Sequence, residues 1–197
     1  MPVFAWSSDP VQTIISFEAR HANPDAGALL LFSIWTVESL YYLQDLDGDD
    51  DLSQPTVRGH RPDVVDVAHA RWATGACITA LDLCVSGLAR SLCGYSKERE
   101  LSLIDMYRTQ FSNLRNLFPS AVQQWLDSIR ADQRYDQIKI VRNALTHGRV
   151  IRHFTLPRRR LDIEVNDTRL DIPTVVRQAK DVATDHVLAL LRILPTL

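Results

Sequence analysis

The stretch IVRNALTHGRV, residues 140–150, marks where the pattern of the chain changes. Before Gly148 the residues follow a helical period. After it, Leu161, Ile163 and Val165 alternate with Asp162 and Glu164, the signature of a strand with one buried face. VIRHFTL (150–156) offers a partner strand joined through PRRR, and 168–172 extends the hairpin. The stretch itself places Arg142, Asn143 and His147 at a helix end, followed by glycine. A glycine there takes the left-handed position that closes a helix, and a cationic side chain suits the negative end of the helix dipole. The same residue types also suit a phosphate site, so both readings stand at this point.

Working outward, the rest of the chain reads as helices. One is predicted over 9–22, opened by Asp9-Pro10 and ended before Asn23-Pro24. A second, over 25–46, is apolar on most sides and therefore central. DLDGDDDLSQP (45–55) reads as an acidic loop. A long helix over 62–93 ends at Gly94, with Cys77, Leu81, Cys84, Leu88 and Leu92 recurring at three or four. Further helices are predicted over 97–113, opened by Ser96 and the acids Glu98 and Glu100, over 121–130, and over 132–147. A last helix runs from Pro173 to about Leu194, where Pro195 stops it. The fold class is mainly α: a single helical domain spanning 1–197, with a small β-hairpin inserted at about 150–172 before the C-terminal helix.

Composition narrows the chemistry. A chain of 197 residues, 46% hydrophobic and 23% charged, suits one domain with a well-filled core. The uninterrupted apolar run AGALLLFSIW (26–35) is about half of what a bilayer span needs. MPVFAWSSDP lacks a basic n-region, so no signal peptide and no membrane association are expected. Cys77, Cys84 and Cys93 fall in one helix, where Cys77 and Cys84 share a face and cannot bridge each other. They read as reduced thiols, with a cytoplasmic setting expected. No zinc spacing accompanies them, and no phosphate-cradling loop or nucleophile elbow is present. DLDGDDD fails as a calcium loop, because counting from Asp45 the required Gly and Glu positions hold Asp50 and Thr56. No metal or cofactor is expected. Trp6, Trp35, Trp72 and Trp125 read as core or interface anchors, His69 and His186 as satisfied packing residues, and His21 and His60 as loop or helix-end residues.

Within the motif, Asn143 and His147 are four apart and share a helix face, whereas Arg142 and His147 diverge by about 140°. Charge is concentrated around them. Lys139, Arg142, Arg149, Arg152, Arg158, Arg159 and Arg160 stand without an acid between them, in a chain whose net charge is -2. Such a segment points to a polyanion, RNA above all, although charged hairpin turns such as PRRR are also common as solvated surface.

RNALTH (142–147), within YDQIKIVRNALTHGRV (135–150), resembles the R-x4-6-H signature of the HEPN family, in which the residue after the arginine is typically polar, as Asn143 is. The resemblance implies a helical bundle. It also implies a metal-independent endoribonuclease, often a toxin or defence effector, that completes its site across a homodimer. On that reading Arg142, His147 and Asn143 are catalytic. His147 serves as base or acid at the ribose 2′-hydroxyl, a role suited to imidazole with its ordinary pKa of about 6.5. Arg142 holds the phosphate with planar donors, and Asn143 orients the phosphate or His147. Arg149, Arg152, Arg158, Arg159 and Arg160 position substrate. Expected partners are RNA, a second copy and a restraining antitoxin or complex partner. The alternative is a catalytically inactive HEPN-like module that binds RNA, a nucleotide or a protein, and beyond it a helical interaction protein without that fold.

Overall fold

The computed structural model describes residues 6, 9–21, 23–41, 62–96, 99–149, 151–155 and 160–197, with backbone alone for 62–66, 151–155 and 160–162. Seven helices are present in this description: α1 (Pro10–His21), α2 (Pro24–Tyr41), α3 (Pro62–Cys93), α4 (Ser112–Leu117), α5 (Ser120–Ala131), α6 (Gln133–Thr146) and α7 (Ile172–Ile193). Strands β1 (Ile151–Thr155), β2 (Arg160–Val165) and β3 (Thr168–Asp171) form an antiparallel sheet between α6 and α7, in the order β1-β2-β3. The acidic loop, the end of the second predicted helix beyond Tyr41, and His60 lie outside the described residues.

α3 is the centre. Its buried residues Cys77, Ala80, Leu81, Cys84, Val85 and Leu88 meet Leu30, Ile34 and Val37 of α2, and Val182, Ala183 and Leu190 of α7, in the main core. α2 approaches closely because position 87 has no side chain: a Cβ there would lie 3.0 Å from Leu30 Cγ and 3.1 Å from the Ala26 carbonyl. α5 lays Val122, Trp125, Leu126 and Ile129 onto the same core, and Trp125 Nε1 donates to the His186 carbonyl at 2.8 Å. A second, smaller core joins Ala70 of α3, Val141, Ala144 and Leu145 of α6, Ile163 and Val165 of β2, and Val175 of α7. It seats the sheet beside the end of α6. β2 and β3 connect through Asn166 and Asp167, both at positive φ, as a type I′ hairpin requires.

The helix predicted over 97–113 does not form. Among the described residues of this segment the chain makes 3-10 turns at Leu103–Tyr107 and Thr109–Phe111 before α4 begins. The reason lies on α3. Ser86 Oγ takes the Leu101 N–H at 2.7 Å, and Asp82 Oδ1 takes the Leu103 N–H at 2.7 Å. Those donors are fixed by tertiary partners, and the fully buried Asp105 closes a capping box with Ser102 while binding Arg99 and Arg108. Burial disfavours the Asp105 charge, but the bonds from Ser102 and the two arginines prevail and hold its carboxyl below the usual range.

α3 is also the described helix long and apolar enough, by length and composition, to cross a membrane, over Val67–Cys93. Its stripes are occupied by α2, α6 and α7, as the core helix of a bundle requires.

Two glycines of α3 should respond in opposite directions. Gly87→Ala should destabilise by about 1–3 kcal/mol, because the added methyl meets Leu30 and the α2 backbone. Gly75→Ala should stabilise by about 0.5–1 kcal/mol, since nothing lies within 4 Å of a Cβ there and helix propensity alone decides. Urea midpoints of the two variants check the sign, and a shift of both in the same direction would contradict the packing described.

Candidate functional site

α6 is started and stopped by identifiable groups. Asp132 caps it, accepting the Arg134 N–H at 2.9 Å. The same carboxylate binds the Arg134 guanidinium at 2.8 Å and His186 Nε2 of α7 at 3.0 Å. Burial works against its charge, but Arg134 and His186 outweigh it and hold the carboxyl at about 2. Arg134 continues to Asp185 of α7 at 3.0 Å, so α6 and α7 are locked in register. His186 is therefore the satisfied packing residue its sequence suggested. His69 is not: its Nδ1 is buried with no partner among the described residues, and burial lowers its pKa.

At the other end, the Arg149 N–H reaches the Ala144 carbonyl at 2.8 Å and the His147 N–H reaches that of Asn143 at 3.0 Å, with Gly148 at φ +66°. This is a Schellman-type turn. The inner face of α6 is buried through Tyr135, Ile138, Val141, Ala144 and Leu145, and that packing leaves the polar motif outward. Arg142, Asn143, His147 and Arg149 are all exposed. Arg142 Nη1 donates to Asn143 Oδ1 at 3.0 Å. The His147 ring makes no hydrogen bond among the described residues, and it stands at the helix terminus as the C-cap residue.

The basic segment is only partly brought to this end. Lys139 is tied to Asp136 at 2.6 Å. Arg152 lies in β1 opposite Ile163, and Arg160 opens β2 opposite Thr155. Their side chains, and Arg158 and Arg159 altogether, fall outside the described residues.

A carboxylate that the sequence reading did not single out lies within the electrostatic reach of Arg142. This is Asp82 of α3, which bonds the Leu103 N–H. Burial pushes its carboxyl up to about 6, reinforced by Asp105 and Glu100 and opposed by the Leu103 N–H and Arg142. Tyr135, also buried, is shifted upward and senses both Asp82 and Arg142. The signal in the sequence was that Asp82 is the one carboxylate between Val67 and Cys93, on a helix otherwise devoted to the core. The thiols of α3 contribute no reactivity: burial raises Cys84 to about 12 and Cys93 to about 11, and lifts Cys77 as well. No group of three or more metal-binding side chains occurs among the described residues.

The raised Asp82 predicts a pH signature. Its folded-state value lies above that of an unfolded carboxyl, so its favourable contribution is complete below about pH 4 and is lost as pH rises through about 6. Asp82→Asn keeps an acceptor for the Leu103 N–H and removes the charge. It should stabilise the fold at pH 7.5 by on the order of 1–3 kcal/mol, with the gain vanishing near pH 4. Urea titrations across that range measure it, and a variant less stable than wild type at pH 7.5 would rule the account out.

In comparisons with known proteins, the chain matches no family model, no curated protein and no solved structure.

Proposed function

We propose that this chain is a metal-independent endoribonuclease of HEPN type, cutting RNA through the 2′-hydroxyl. One observation carries the reading. The turn that ends α6 is closed by Gly148 and two backbone hydrogen bonds, so the guanidinium of Arg142, the amide of Asn143 and the imidazole of His147 are not needed to close it. Three polar side chains that suit a phosphate are thus exposed at one helix end.

In the reaction, the ribose 2′-oxygen attacks the adjacent phosphorus and the bond to the 5′-oxygen breaks. The 2′-proton passes to a base, and a proton is given to the departing 5′-oxygen. The products are a 2′,3′-cyclic phosphate and a 5′-hydroxyl. His147 takes or gives one of these protons. Arg142, steadied by Asn143, stabilises the charge that grows on the phosphate oxygens. Arg149, Arg152 and Arg158 to Arg160 contribute phosphate contacts along the strand.

One α6 end supplies one imidazole, whereas the reaction moves two protons. A second copy across a two-fold axis supplies the other, so the active species is a homodimer. A ribonuclease of this kind acts as a toxin or defence effector and is held in check by an antitoxin or complex partner. The inactive-module reading has its own support, since the Schellman turn accounts fully for Gly148 and the backbone of His147.

Labelled RNA incubated with the protein in EDTA separates the two. Wild type should leave cyclic phosphate ends, with Arg142→Ala and His147→Ala each slower by on the order of 10²- to 10⁴-fold, and DNA untouched. Equal cleavage by all three proteins, or none by any, removes this reading.

A further inference from the structure

Two of the four tryptophans are not core residues. Trp125 is buried and Trp6 bonds Glu38, but Trp35 is 51% exposed and Trp72 44%. Phe32, 53% exposed, stands edge-on to Trp35 with ring centroids 5.2 Å apart. Beside these rings an open groove of about 600 Å³ runs between α2 and α3. Its α3 wall carries Arg71, Trp72, Gly75 and Thr79, which recur every three or four residues as one stripe, and its α2 wall carries Thr36 and Ser39. Trp35 is four residues before Ser39 and so shares that face of α2.

The chemistry of the groove is one-sided. No carboxylate lines it among the described residues. Arg71 forms no ion pair there, and neither exposed indole N–H has an acceptor among the described residues. The hydroxyls of Thr36 and Ser39 donate into their own helix and keep lone pairs free. A cation, two donors, two planar rings and acceptor hydroxyls around an open channel complement a flat base attached to an anion. An apolar helix face docked there would leave the guanidinium and the indole N–H groups without partners. The groove also lies near the end of α6: Ala70, next to Arg71 on α3, shares the second core with Val141, Ala144 and Leu145.

We infer that the α2–α3 groove holds single-stranded RNA, with a base stacked on Trp72 and the following phosphate on Arg71. The inference rests on the ribonuclease reading for the identity of the strand. Aromatic stacking suits any base, so the groove contributes affinity without sequence preference.

The test uses the full chain and a 2′-O-methyl oligoadenylate of about 12 nucleotides, which binds but lacks the attacking hydroxyl. Binding is read by fluorescence anisotropy and by quenching of the exposed tryptophans. Gly75→Leu fills the groove from a position where a Cβ touches nothing, and Trp72→Leu removes the stacking ring. Both should weaken binding about tenfold or more. Arg71→Gln should lower the salt dependence by about one phosphate contact. Melting by circular dichroism verifies that each variant is folded, and cleavage of natural RNA by wild type is followed in parallel. Weakened binding in folded Gly75→Leu and Trp72→Leu supports the groove even when wild type cuts nothing, an outcome that would sink only the nuclease reading. Unchanged affinity in both variants overturns the groove even when wild type cuts RNA. A dimer that Gly75→Leu splits without change in RNA affinity also overturns it, and assigns the face to a second copy.

Discussion

Burial of α3 on three sides governs the rest of the structure. Its apolar stripes are matched by α2, α7 and α6, and each leucine-sized side chain removed from water there contributes about 1.5–3 kcal/mol. Most of the polar groups it takes into that environment are satisfied, several by organising something else, while His69 Nδ1 has no partner among the described residues. Ser86 and Asp82 seize backbone donors of the 101–103 segment, Cys84 donates to Ser33 of α2 at 3.2 Å, and Thr74 bonds its own helix at 2.8 Å. The turn around Asp105 and the closeness of α2 follow from that arrangement.

The position of the motif follows from it as well. α6 rests on α3 through Val141, Ala144 and Leu145, and its first turn is locked to α7 by Asp132, Arg134 and His186. With the inner face committed and the start fixed, the polar residues of the last turns have only the outer side available. Gly148 then turns the chain sharply into the sheet, which is anchored by Ile163 and Val165 in the second core. The exposed Arg142–Asn143 pair is therefore held by a rigid frame, which is what a site of chemistry needs.

The helices with a clear apolar period were legible in the sequence, and so was the hairpin, because a change from a period near four to a period of two is unmistakable across Gly148. The segment after Ser96 was misread because its acids and serine resemble a helix start, while the groups that override helix formation, Asp82 and Ser86, are distant in sequence. The tryptophans were read as core or interface anchors without a choice between the two, because hydrophobicity alone does not distinguish Trp125, which finds an acceptor on α7, from Trp35 and Trp72, which face solvent. The motif was visible as residues, but the hydrogen bond from Arg142 to Asn143 becomes concrete only in the folded chain.

Motif and groove both rest on α3, the last turns of α6 packing with Ala70 while Arg71 and Trp72 line the groove, and RNA binding at both is the central claim. The most direct measurement is an amide NMR titration of the protein with uncleavable 2′-O-methyl RNA. The account predicts shifts confined to the exposed faces of α2 and α3, from Trp35 and Arg71 to Thr79, and to the end of α6 from Arg142 to Arg149. Shifts confined to α5 and α7, or none at saturating RNA, would contradict it.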